Sequence, residues 1–117
     1  MHHAEQVESN LPLTESTYFI LLILANGPRH GYAIMKEAGQ LSQGSVELST
    51  GTLYGALKRL LDQGWIRRAV DPDGVMNGRV RKAYILTPLG RETLEAEVQR
   101  LRRLARAAET RILKDAA

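Results

Sequence analysis

Leu94, Val98, Leu101, Ala105, Ala108 and Ile112 recur at spacings of 4, 3, 4, 3 and 4, an unbroken a/d heptad seam. Thr87-Pro88 opens the helix that carries it, with threonine as N-cap and proline at the first helical position. The pattern predicts a helix to about Asp115, roughly 42 Å long at 1.5 Å per residue. Glu92, Glu95, Glu97, Arg100, Arg102, Arg103 and Arg106 fall on the other faces, so the seam is the side to bury. The rest of the chain can cover the first turns only. Residues 88–117 are therefore assigned to dimerisation, the expected cover being a second copy.

A second segment has the same deficit. Thr14 can cap a helix running to about Asn26, where Gly27-Pro28 stops it; Leu13 and Tyr18 are placed for a hydrophobic staple. Its middle, YFILLILA, is apolar all round and should be buried on every side. A tight turn leads to a helix from Gly31 to Leu41, with Ile34, Ala38 and Leu41 on one face. Residues 42–48 form a short polar loop. Residues 1–12 read as a loose, polar terminus, with His2 and His3 a frayed end or tag scar rather than a metal site.

The third helix, capped by Ser49 and stopped by Gly64, carries Leu53, Leu57, Leu60 and Leu61 as one apolar stripe. Tyr54 and Lys58 are four residues apart on another face, beside Thr50 and Gly51 at the helix start. A helix that enters a DNA major groove needs small residues at its N-terminus and a polar, cationic outer face. Three helices with short connections, the third so equipped, follow the helix-turn-helix plan.

Beyond Gly64 the period drops to two. Residues 66–70 read as a strand; residues 71–79, DPDGVMNGR, are crowded with turn formers and are not expected to continue it. Val80 to Thr87 reads as the returning strand. The fold class is thus mainly α with a small β-hairpin: a winged helix-turn-helix over residues 13–87, followed by one long helix. Arg79, Arg81 and Lys82 lie on the returning edge of the wing, within reach of phosphate oxygens.

Charge follows the same division. Residues 1–48 carry −3, residues 49–87 carry +4 and residues 88–117 carry +2, so positive charge begins where the third helix begins. There is no cysteine, hence no disulfide or thiolate metal site. The longest apolar run, Tyr18 to Ala25, is eight residues and too short to span a bilayer. No membrane partner, cofactor or metal is expected, and a cytoplasmic location is the default. A Gly-rich phosphate loop, an H-E-x-x-H motif and a carboxylate pair in an apolar setting are all missing, which argues against an enzyme.

Several segments taken together resemble the PadR family of bacterial transcriptional regulators. They are His30-Gly31-Tyr32; Ser49 with Gly51-Thr52-Leu53-Tyr54; Leu57-Lys58-Arg59-Leu60; Gly64-Trp65-Ile66; Gly78-Arg79; and Arg81-Lys82-Ala83-Tyr84-Ile85-Leu86-Thr87 with Gly90. The resemblance covers residues 13–94 or so. The single helix after the wing is similar to the short subfamily. Gly55 stands where the family usually has proline, and Ala83 where a second aromatic residue is common.

The resemblance implies a homodimeric winged-helix protein, usually a repressor, that binds a palindromic operator in double-stranded DNA. It maps Thr50, Thr52, Tyr54 and Lys58 to the DNA side of the third helix, and Arg79, Arg81 and Lys82 to the wing; Ser49 and Gly51, at the start of the same helix, join them as candidate DNA-binding residues. Some members bind a small hydrophobic or aromatic effector near the first and last helices, which makes Tyr18, Phe19 and Ile23 the effector-pocket residues. The last helix has no aromatic residue to stack on such a ligand, so a dimer without an effector stays open. The alternative function is a winged-helix module that binds protein without sequence-specific DNA binding.

Overall fold

The computed structural model describes residues 7–76 and 79–113, and the side chains within 7–70 and 82–112. Helix α1 spans Glu15–Leu24, α2 Gly31–Leu41, α3 Thr50–Gln63 and α4 Pro88–Ala108, the last running on through a π-helical turn at Glu109–Leu113. Strands β1 (Arg29–His30), β2 (Ile66–Met76) and β3 (Arg79–Leu86) form one antiparallel sheet in the order β1-β3-β2.

The helices begin where the sequence supplies caps. Thr14, Ser49 and Thr87 each accept a hydrogen bond from the backbone N–H three residues on, which removes one unsatisfied donor per helix. Gly64 ends α3 at φ 76°, a left-handed conformation that glycine adopts without a steric penalty. The end of α3 is then tied to the start of α4. The Thr87 hydroxyl donates to the Gly64 carbonyl at 2.6 Å and the Thr87 N–H to the Trp65 carbonyl at 3.0 Å. Gly90 completes this joint, since a Cβ there would lie 2.8 Å from the Trp65 carbonyl carbon and from Leu86 Cδ1.

One core joins Ile20, Leu21, Ile23 and Leu24 of α1 to Ile34 and Ala38 of α2. Leu53, Leu57 and Leu60 of α3, Trp65 and Ile66, Tyr84 of β3 and Leu94 of α4 complete it. Full burial of each large side chain contributes about 1.5–3 kcal/mol. Leu41, placed by periodicity on the buried face of α2, is instead exposed at the helix end.

Three further expectations are corrected. The turn before α2 contains β1, whose Arg29 and His30 pair with Tyr84 and Ala83 and make the hairpin a three-stranded sheet. Two residues carry too short a pattern for period two to be visible. Strand β2 continues through the turn formers to Met76, because the ladder absorbs them in an irregularity between Val70 and Val75 before pairing resumes at Val75 with Val80. Residues 7–9 are helical, and Val7 is buried, so this part of the terminus packs on the domain.

The apolar helix α1 is less enclosed than its composition requires. Tyr18, Phe19 and Leu22 are half-buried along one side.

Candidate nucleic-acid interface

Helix α3 buries Leu53, Ala56, Leu57 and Leu60 and turns the opposite side to solvent. Ser49, Thr50, Gly51, Thr52, Tyr54 and Lys58 are all exposed. The Ser49 hydroxyl donates to Thr52 Oγ1 at 2.9 Å and accepts from Thr52 N at 3.2 Å, so both groups at the helix start are held by each other. Tyr54 is 47% exposed, and its ring lies back over the start of α2. A Cβ on Gly31 would sit 2.7 Å from the Tyr54 hydroxyl oxygen, so this pose requires glycine at position 31.

A cleft of about 640 Å³ runs between α3 and the sheet, lined by Tyr54, Lys58 and Asp62 on one wall and Arg67, Arg68, Lys82 and Tyr84 on the other. Arg68 is opposite Tyr84 in the ladder, and Lys82 is opposite Val70 two residues on, so both share the sheet face on which Ile66 meets α3. Lys58 Nζ is 3.6 Å from Asp62 Oδ2, an exposed pair of small energetic worth. Tyr84 is only 3% exposed, and burial pushes its phenol up, as does nearby Tyr54; the positive charge of Arg68, its cross-strand neighbour, acts the other way. Composition and motif did not single out Arg67, Arg68 and Asp62. The signal for Arg68 was its parity with Ile66, an inward residue of the same strand. Among the wing residues read from sequence, Lys82 is exposed; Arg79 and Arg81 are described in backbone alone, and Gly78 lies outside the described residues.

The model of the transcriptional regulator PadR-like family matches residues 20–96, from within α1 to α4. The chain belongs to this family. A transcriptional regulator of Mycobacterium tuberculosis, Rv3488, is 37% identical over 87 residues, covering 74% of this chain and 76% of that protein. An uncharacterized 37.1 kDa protein in transposon TN4556 of Streptomyces fradiae is 40% identical over 91 residues, 78% of this chain; the chain spans 24% of that protein. A PadR family transcription regulator from Clostridium difficile superposes with a TM-score of 0.67 at 30% identity, covering 83% of this chain and 97% of that one. Bacillus subtilis PadR in complex with operator DNA superposes with a TM-score of 0.61 at 26% identity, covering 70% of this chain and 46% of that one.

On this PadR-like frame the long helix divides into two parts. Leu94 joins the core of its own chain and Val98 is half-buried. From Leu101 to Ile112 every residue is exposed, including Ala105 and Ala108; Leu101 is 38%, Leu104 55% and Ile112 67% accessible. Leu104, outside the strict a/d pattern, widens the exposed seam. Glu97, assigned above to an outer face, is instead 2% exposed. Its carboxylate accepts from Leu13 N at 2.8 Å and from Arg100 Nη2 at 3.0 Å, which compensates the burial of its charge.

Beside that pair lies a hollow of about 290 Å³ lined by Leu13, Glu15, Tyr18, Phe19, Glu97, Arg100 and Leu101. Tyr18 and Phe19 meet edge to face with centroids 5.5 Å apart. Ile23, grouped with them from sequence, does not reach the hollow: it faces the core at 2% exposure. No helix among the described residues is long and apolar enough to cross a membrane.

Proposed function

We propose that this regulator binds a palindromic operator in double-stranded DNA as a homodimer, in the cytoplasm, and acts as a repressor. Helix α3 enters the major groove with Thr50, Gly51, Thr52 and Tyr54 toward the bases and Lys58 toward a phosphate. The wing, with Arg79, Arg81 and Lys82, follows the backbone. The observation that carries this reading is the exposed, cationic face of α3 beside a cleft edged by Arg68 and Lys82. The operator complex of Bacillus subtilis PadR, a protein of the same fold, supports it. The exposed seam of Leu101, Ala105, Ala108 and Ile112 supports the homodimer. The hollow at Tyr18 and Phe19, next to Leu101, supports release by a small hydrophobic or aromatic effector.

Gel-shift titration against the region upstream of the protein's own gene tests the reading. Binding is expected to weaken steeply with salt, because neutralised phosphates release counterions. Replacing Arg79 and Arg81 together by alanine should lower affinity tenfold or more while moving stability by no more than about 1 kcal/mol. A protein that shifts no duplex at low salt sinks the proposal.

A further inference from the structure

We propose that the cleft between α3 and the wing carries one sugar-phosphate strand of the DNA, with Arg68 as its phosphate anchor and Tyr84 as the residue that positions Arg68. The inference rests on the DNA-binding reading and extends it to residues that neither the resemblance nor the motifs assign.

Three observations converge on Arg68. First, the cleft lining holds four cations, Lys58, Arg67, Arg68 and Lys82, against one carboxylate, Asp62, and is net positive. Such a line of cations between two elements meets a polyanion strand rather than an isolated charge. Second, Arg68 belongs to the sheet face that meets α3, opposite Tyr84, and so stands between the helix and the rest of the wing. Third, the tyrosine that faces it across the ladder is itself fixed. Tyr84 is part of the core and is paired in the middle strand of the sheet, with Arg29 on one side and Arg68 on the other.

A long cationic side chain normally loses rotamer freedom when it binds, a cost of up to about 2 kcal/mol for arginine. A guanidinium set beside a fixed cross-strand tyrosine loses less on meeting a phosphate, and its planar fork can still offer a pair of N–H donors. Lys58 and Lys82 lack such a support and act as point charges along the same track. Asp62 repels phosphate and sets a limit on how closely the strand approaches the end of α3.

Fluorescence anisotropy with a labelled random-sequence duplex at several salt concentrations tests this on the full chain. Arg68→Ala should weaken binding about tenfold, as expected for losing a charged hydrogen bond, and reduce the slope of log affinity against log salt by about one. Arg68→Lys keeps the charge, so it should restore the slope but only part of the affinity. Tyr84→Phe removes no charge; affinity should fall a few-fold with slope and melting temperature unchanged, a combination that a merely structural tyrosine would not produce. If the unaltered protein binds and Arg68→Ala matches it in affinity and slope, the anchor is wrong and DNA binding stands. A protein that ignores the duplex and binds an acidic peptide instead overturns both.

Discussion

The backbone N–H of Leu13 donates to Oε2 of Glu97 at 2.8 Å, joining residues 84 positions apart. Leu13 immediately precedes the Thr14 cap of α1, and Glu97 lies three turns into α4. The long helix therefore holds the entry to the most apolar helix of the fold. On the opposite end, Arg91 of α4 donates to the Ala25 carbonyl just past α1, at 3.2 Å. Both ends of α1 are thus tied to one helix, which also supplies the exposed seam. A change in how α4 is covered has a direct route to α1 and to the hollow between them.

This contact makes stability pH-dependent in a defined direction. The hydrogen bond from Arg100 holds the Glu97 carboxyl below its ordinary 4.5, with the Leu13 N–H assisting, against burial that acts the other way. A depressed folded value gives stabilisation that is present above the unfolded value and disappears as pH falls through the folded one. Melting temperature should therefore drop between pH 4.5 and the lower folded value, more in the native protein than in Glu97→Gln. Glu97→Ala leaves the half-buried Leu13 N–H without its acceptor and should cost about 1–3 kcal/mol near neutral pH. Urea denaturation at two pH values checks both; equal acid sensitivity of native protein and Glu97→Gln would remove Glu97 from the account.

Gly31 and Tyr54 make a second testable pair. With a methyl group at position 31, the Tyr54 hydroxyl and Leu53 Cδ2 would both be crowded, at 2.7 and 3.3 Å. The Tyr54 ring is the part able to yield, because it is half exposed whereas Leu53 is in the core. Gly31→Ala should cost about 1–3 kcal/mol, the range for overpacking, and should alter DNA affinity through Tyr54. Gly31→Ala/Tyr54→Ala should recover most of the stability but not the affinity. Thermal melts and anisotropy on the same samples separate the two effects.

Gly51 and Gly55 present the opposite case. Both lie on the exposed side of α3, and a Cβ on either would meet nothing within 4 Å. Glycine in a helix interior costs up to about 1 kcal/mol relative to alanine, and the packing of the domain does not call for it here. The expected gain from bare backbone is close approach of α3 to the groove. Gly51→Ala/Gly55→Ala should stabilise the free protein by about 1 kcal/mol or more while weakening operator binding. Stabilisation with unchanged DNA affinity would show that the glycines do not serve the interface.

What could be read from sequence followed from strong local signals. Thr14, Ser49, Thr87, Pro88 and Gly64 fixed helix boundaries because caps act within three or four residues. Leu53, Leu57 and Leu60 fixed the buried side of α3 because helical periodicity needs no tertiary information. The misses lie where a distant partner decides. Glu97 reads as a surface charge until Leu13 and Arg100 are placed around it, and β1 exists only because β3 offers two residues an open edge. Ile23 and Phe19 are both apolar, yet the packing of α1 sends one to the core and the other to the hollow. Leu104 was passed over because a strict a/d pattern selects a line, whereas an interface covers a stripe.

That stripe gives the last prediction. Leu101, Leu104, Ala105, Ala108 and Ile112 lie along α4 beyond the point where its own chain covers it, and all are exposed. A continuous apolar face of this kind marks an interaction surface, and its heptad spacing suits a helix of the same sequence. Two copies joined there can present two α3 helices to half-sites one turn apart, roughly 34 Å. Leu101→Glu or Leu104→Glu would place a carboxylate against apolar side chains of the second copy, at a cost of several kcal/mol. Each variant should sediment as a monomer at micromolar concentration and lose affinity for a palindromic site more than for a single half-site. Arg103→Glu, on the far side of the helix, should leave the dimer intact. Leu94→Glu should behave differently from all three, because Leu94 belongs to the core of its own chain: it should unfold the domain rather than dissociate it. If Leu101→Glu and Leu104→Glu remain dimeric while Arg103→Glu dissociates, the two copies meet through the arginine face, and the apolar stripe must be covered by something else.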